Sequence, residues 1–275
     1  MSTKPVLHDL SLAALVRAVE ANLTAFHVFL SEWPAVTLHR DEDRIWTVSQ
    51  RRFSLCNVLL EAHFDSADVD GQIKRALTPY LTSNVNVMWK LGPSTRPGNL
   101  GDRLIDHGFV ARPTLPGMAL DLTSLKPTAV LPPEVQVLEV IDSETLDLWR
   151  QALDRGFGWP AYGAQDVADN LSFFFRTGLA RPFVAYVGMA AGTPVASSLV
   201  FFGAGVAGLY HISTAPDHRK RGVGSTISRA PLLEAHRRGY RVAILHATQM
   251  GYPVYRRLGF EEVCAVNLRL RLNES

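Results

Sequence analysis

Cysteine is scarce: there are two in 275 residues, Cys56 and Cys264. They lie far apart and form neither a metal-ligand spacing nor a disulfide framework, which sets aside metal-stapled and disulfide-stapled classes and makes a reducing cytoplasm the expected compartment. An excess of charge of either sign is also missing. With 28 Lys and Arg against 26 Asp and Glu, and a net charge of +2, the composition calls for no polyanionic partner, so nucleic acid is not expected. The first residues lack a charged segment followed by an apolar run, and no stretch approaches the length of a membrane span, so a soluble chain without a membrane partner is expected. Core material is plentiful. An apolar content of 47% suffices, at this length, for two ordinary domains.

The most informative stretch is Leu209 to Ser225, which reads as a strand passing through a short loop into a helix. Its loop sets Asp217 against Arg219, Lys220 and Arg221 and ends in Arg219-x-x-Gly222-x-Gly224. A glycine-rich loop opening a helix cradles anions, because first-turn N–H groups lack partners and the helix dipole favours negative charge there. A phosphate is the expected guest. Taken alone the motif also fits a glycine-rich turn beside a solvated basic patch. It is followed, however, by an apolar strand (Val242 to Leu245), a short loop (246–251) and Tyr252-Pro-Val-Tyr255-Arg-Arg-Leu-Gly259-Phe260.

In this order and spacing, R-x-x-G-x-G and Y-x-x-x-G-F resemble the GNAT superfamily of acyl-CoA-dependent N-acetyltransferases, over roughly the last half of the chain. The resemblance implies acetyl-CoA as co-substrate, no metal, and an amine acceptor that is a small molecule or peptide. It assigns the CoA pyrophosphate to the loop Arg219, Lys220, Arg221, Gly222, Val223, Gly224 and Ser225, and the pantetheine to main-chain groups of Ile212, Ser213 and Thr214, where side-chain changes should matter little. Tyr255 matches the family's general acid toward the departing thiolate; the alternative is a tyrosine packed in the last helix. Some members carry a glutamate on the strand before the loop, whereas Val206 to Thr214 has no acid. His211 on that strand is then a candidate base, since an unperturbed imidazole near pKa 6.5 can take an amine proton directly or through water, and His246 is a weaker one. A hydrogen-bonded strand histidine is the competing reading. Phe157 to Tyr162, rich in rings, is expected to wall the acceptor site, with Asp154 or Asp166 available to a cationic amine.

Periodicity supplies the rest. Helices are expected at 9–30, 70–81, 98–107, 143–156 and 164–176; strands at 35–38, 44–48, 85–89, 118–122, 135–140, 183–187, 195–202 and 206–213; residues 53–64 continue the sheet. Pro231 falls inside the helix after the cradle, where a proline costs about 3 kcal/mol and a kink. This is a mixed α/β sheet architecture. Helix, strand, loop, helix, Gly-Phe and a further strand occur at 70–109 and again at 222–260, so the first half reads as a decayed copy of the second; chance alignment of common elements is the alternative. Where the second copy has its cradle, the first has Asp65, Asp68 and Asp70, which would repel a pyrophosphate, and in place of Tyr255 it has Leu104. The expected organisation is a degenerate GNAT-like domain at 1–125 without a cofactor site, a proline-rich linker at 126–133, and a GNAT domain at 134–275 that carries the whole cofactor site. The leading function is an acetyl-CoA-dependent N-acetyltransferase. A non-catalytic acyl-CoA-binding or regulatory module, and a binder of phosphorylated metabolites or nucleotides, use the same loop.

Overall fold

The computed structural model describes residues 5–125, apart from 52 and 66, and residues 135–273, apart from 180. The expected linker at 126–133 lies outside the described residues. In chain order the first elements are α1 (Leu12–Leu30), β1 (Thr37–Arg40), β2 (Arg44–Val48), β3 (Val58–Ala62), α2 (Val69–Thr82), β4 (Val87–Leu91), α3 (Leu100–Asp106) and β5 (Val110–Asp121). Then come β6 (Gln136–Glu139), α4 (Ser143–Phe157), α5 (Ala161–Thr177), β7 (Phe183–Ala190), β8 (Thr193–Gly203) and β9 (Val206–Thr214). The last are α6 (Val223–Arg237), β10 (Val242–His246), α7 (Tyr252–Leu258) and β11 (Glu261–Arg271).

Two compact units form, and each draws on both ends of the sequence. One comprises residues 1–25 and 117–263, the other residues 26–116 and 264–275. In the first, the strand order is β5-β10-β9-β8-β7-β6, with β10 parallel to β9 and every other neighbour antiparallel. In the second it is β1-β2-β3-β4-β11, with β3 parallel to β4 and the rest antiparallel. Thus β1-β2-β3-α2-β4-α3 repeats the order and pairing of β7-β8-β9-α6-β10-α7. The final strand of each repeat is exchanged: Gly117–Asp121 of β5 pairs with β10, and Asn267–Arg271 of β11 pairs with β4.

The repeat extends to single residues. Gly108 (φ +82°) and Gly259 (φ +101°) end α3 and α7 in the left-handed conformation that favours glycine. The next residue then folds back: Phe109 N–H donates to Leu104 O at 3.1 Å, and Phe260 N–H to Tyr255 O at 3.0 Å. All four of these side chains are buried. Leu104 therefore occupies the position of Tyr255, as the spacing implies.

Because strands are exchanged, a cut at 125/126 removes an element from each sheet. Residues 126–275 alone would lose β5 and leave the β10 edge open; they would also lose Asn22 of α1. The Asn22 amide donates to Gly203 O and accepts from the Tyr210 hydroxyl, each at 2.8 Å. We expect neither fragment to melt cooperatively by itself, while the two co-expressed fragments assemble. A folded, cooperatively melting 126–275 fragment would contradict the exchange. The bounds of the first unit, 1–25 and 117–263, differ from the expected domain at 134–275.

Several element expectations change. Residues 110–121 form one strand despite Pro113 and Pro116, longer than the strand expected at 118–122. Asp142 caps α4, accepting from Thr145 N–H at 2.9 Å within a reciprocal capping box. The β7–β8 turn is the two residues Ala191 and Gly192, both at positive φ. By length and composition alone α1, with 19 residues, is apolar enough to cross a membrane, a test that the core helix of a soluble protein also passes; Ala14, Ala18, Val19 and Asn22 on it are buried.

In the second unit, Trp89, Ile73, Tyr80 and Leu100 form the centre of one apolar core. In the first, Ile227, Val195 and Val223 pack under the start of α6, and Leu209, Leu245, Phe260 and Tyr255 join β9, β10 and α7. Fully burying each such side chain is worth about 1.5–3 kcal/mol.

Candidate active site

The cradle is built as its composition requires. Gly222 is the N-cap of α6 at φ +83°, and no side chain caps this helix. The first bond that α6 makes back to its cap runs from Thr226 N–H to Gly222 O at 3.0 Å, which leaves the N–H groups of Val223, Gly224 and Ser225 in the uncapped first turn. A Cβ at Gly224 would meet only Thr214 Oγ1, at 3.5 Å. Packing therefore does not demand glycine there, and the space is open to a ligand. Lys220, at φ +61°, and Arg221 are exposed and have no carboxylate partner among the described residues.

Three assigned residues act otherwise than by touching an anion with a side chain. Arg219 turns inward: its Nε donates to Thr214 O at 3.1 Å and its Nη2 to Gly156 O at 2.9 Å, which ties the loop to the ends of β9 and α4. Val223 is buried in the core, so only its N–H is available. Ser213 is buried as well, and its hydroxyl bonds Ala152 O at 3.1 Å and the Ser197 hydroxyl at 2.8 Å. Side-chain changes at Ser213 should therefore disturb the α4 contact. The approach is close: a Cβ on Gly156 would collide with Ser213.

β9 and β10 diverge beside the cradle. Among the described residues they pair through Ala207–Leu209 and Ala243–Leu245, whereas β9 continues to Thr214, beyond that pairing. The divergence coincides with a bulge, where the β8–β9 register shifts between Ser197 and Leu199 and His211 takes φ +51°. His211 is edge-on to Trp149 at 5.8 Å and Trp159 at 6.3 Å. His246 is the last residue of β10, at the end where it diverges from β9, and is paired with Gly117.

Tyr255 is buried near the ends of β9 and β10. It belongs to the apolar cluster that holds Leu245 and Ala247 at the end of β10, with Ile212 of β9 packed against it. Burial holds its phenol above the usual tyrosine pKa, so the ring keeps its proton at neutral pH. Gly251, at the helix start, admits the ring: a Cβ there would lie 2.7 Å from Tyr255 Cε2. Sequence reading had no signal for that glycine beyond its place in a loop. Of the two candidate carboxylates, Asp166 is buried on α5, and Asp154 is half-buried near the end of α4.

Pro231 proves to be accommodated. A proline removes the N–H that would bond the carbonyl four residues earlier; here that carbonyl, Ile227 O, accepts instead from the buried Ser198 hydroxyl at 2.9 Å. Ser198 O in turn accepts from Trp149 Nε1 at 3.1 Å. Ser198→Ala would leave Ile227 O buried without this donor, and should lower stability by about 1–3 kcal/mol in a denaturant titration.

In the second unit the equivalent helix start is closed. Asp68 caps α2, its carboxylate accepting from Gly71 N–H at 3.1 Å, and it also pairs with Arg75. Asp70 pairs with Arg103 and His107, and its carboxyl is held below the usual range chiefly by His107. Aligned on their caps, Asp68 stands for Gly222 and Asp70 for Gly224. Among the described residues no group of His, Cys, Asp and Glu could hold a metal ion.

The family model of the acetyltransferase (GNAT) domain matches residues 187–263. No curated protein matches the sequence. Among solved structures, the chain is similar to a GCN5-related N-acetyltransferase from Kribbella flavida, at 18% identity, with 91% of this chain and 95% of that chain covered and a TM-score of 0.68. It is similar to another from Sphaerobacter thermophilus, at 16% identity, 94% and 92% coverage and a TM-score of 0.62. A tandem GNAT protein from the clavulanic acid biosynthesis pathway is matched at 14% identity, over 99% of this chain and 98% of that one, with a TM-score of 0.59. At these identities the likeness is one of fold.

Proposed function

From a chain that has the GNAT fold and carries a GNAT domain at residues 187–263, we propose an acetyl-CoA-dependent N-acetyltransferase with one working unit and one degenerate unit. The observation that carries this reading is the junction of an uncapped, glycine-lined helix start with β9, a strand that runs on to Thr214 beyond its pairing with β10 at Ala207–Leu209. The residues fit the donor. The first-turn N–H groups of α6, with Lys220 and Arg221, would hold its pyrophosphate, Arg219 would brace the loop, and main-chain groups at Ile212 to Thr214 would pair with its amides.

Bound there, acetyl-CoA supplies an activated thioester. The acceptor nitrogen forms a bond to the carbonyl carbon, the C–S bond breaks, and the thiolate takes the Tyr255 proton. The proton released by the nitrogen goes to His211 or to water. A buried phenol is a weaker acid than an exposed one, but the same dry surroundings make a thiolate formed there more basic, so the match between them is kept. The second unit, its helix start filled by Asp68, has no such role.

A non-catalytic acyl-CoA-binding module remains the second reading, favoured by the lack of any acid on β9. Incubating the full chain with labelled acetyl-CoA and pooled amines separates them. Label transferred to an amine supports the enzyme, whereas bound acetyl-CoA without transfer to any pool supports the module.

A further inference from the structure

The second unit has a cavity of about 280 Å³ between the end of β4, the loop that follows it, the start of α3 and β11. Arg96, Arg269, Asp102, Asn267 and Gly98 line it. Arg96 Nη1 donates to Pro93 O at 2.9 Å and to Thr95 O at 2.8 Å. Arg269 donates from Nε to Gly101 O at 2.9 Å and from Nη1 to Leu268 O at 3.2 Å. Pro93, Thr95 and Gly101 belong to the cavity lining themselves, so each guanidinium is tied to its wall. Among the described residues neither arginine meets a carboxylate, Asp102 meets no base, and no hydrogen bond uses either Nη2.

The repeat shows that the fold does not require these charges. In the first unit, Met118 and Leu120 of β5 join the apolar core with Leu232 of α6 and Tyr255 of α7. On the matching face of β11, paired with the core residues Trp89 and Leu91, stand Arg269 and Asn267. Gly101 makes room for the arginine: a Cβ there would come within 3.1 Å of Arg269 Nη2 and of Leu91 Cδ1. A charged side chain where the sister unit buries apolar ones costs free energy unless something pairs with it. Here two cations and one anion line a small cavity without pairing with each other. A ligand that carries both charges close together answers both. A guanidinium fork matches the two oxygens of a carboxylate, and Asp102 matches an ammonium. The volume falls just below the roughly 300–1,000 Å³ of sites for drug-sized ligands, which suits a small metabolite.

We propose that the second unit binds a small α-amino acid in this cavity, with its carboxylate on Arg96 and Arg269 and its ammonium on Asp102. Such a site is independent of N-acetyl transfer in the first unit. It is tested by ligand-observed NMR of the full chain with the pooled standard amino acids, followed by calorimetry of any member bound and of the same acid without its amine. A Cβ on Gly98 would meet nothing within 4 Å, so Gly98→Glu adds a carboxylate to the cavity without crowding the fold. Asp102→Asn keeps the shape of an exposed side chain and removes its charge. An amino acid should bind at least about tenfold more tightly than its amine-free analogue, equivalent to about 1.4 kcal/mol. Each substitution should weaken it by about tenfold or more and leave the melting temperature and acetyl-CoA affinity unchanged. No amino acid bound at millimolar concentration would mean that the cavity holds only water, and overturns the proposal. So does an amine-free analogue that binds as tightly, or an affinity that either folded variant leaves intact.

Discussion

Gly224→Asp should abolish acetyl-CoA binding and leave the protein at least as stable as before. The two effects have opposite signs for one reason. A carboxylate in the first turn of a helix is favoured by the dipole, by about 0.3–1 kcal/mol, and replacing glycine in a helix adds a comparable amount. The same carboxylate would stand where the pyrophosphate is proposed to bind, and two like charges about 4 Å apart near a protein surface repel by roughly 4 kcal/mol. Room for the new side chain exists, since only Thr214 Oγ1 lies near the Cβ position, at 3.5 Å. Gly222 is the poorer test, because its φ of +83° would be strained by any side chain. The substitution also installs what the second unit carries at the matching place, Asp70. Calorimetry should show a loss of at least about a hundredfold in affinity, worth about 2.7 kcal/mol, with an unchanged or raised melting temperature. Wild-type affinity in a folded Gly224→Asp protein would remove the donor from the cradle.

Tyr255→Phe separates binding from chemistry. The ring and its contact with Phe260, at 5.9 Å between centroids, are kept, so the fold and acetyl-CoA affinity should barely change. Turnover of any accepted amine should fall by roughly a hundredfold to ten-thousandfold, the usual worth of a positioned proton donor. The loss should be smaller with an acyl donor whose thiol is more acidic, because its thiolate needs the proton less. Wild-type turnover with both donors would mean that water or another group protonates the thiolate, and Tyr255 would then serve only as core.

What was legible in the sequence is what backbone conformation dictates. Gly222, Gly259 and Gly108 mark left-handed positions that few other residues tolerate, and the spacing of Leu104 and Tyr255 from their Gly-Phe pairs carries over directly into matching hydrogen bonds. Strand partners were not legible. Alternation along β5 and β11 says which face is buried but not which edge receives the strand, so their exchange between units, and the ends of those units, appear only in the fold. Arg219 was assigned to the anion with the rest of its loop; its bonds to Thr214 O and Gly156 O depend on where α4 ends, which lies more than fifty residues away along the chain. Ser198 carries no motif at all. Its place under Pro231 follows from the packing of β8 on α6.

The central claim, one working cradle and one closed one, is tested most directly by the stoichiometry of acetyl-CoA binding to the intact chain. Isothermal titration should give one site per chain for the wild-type protein and none for Gly224→Asp. Two sites per chain, or one site that survives Gly224→Asp, would contradict the account.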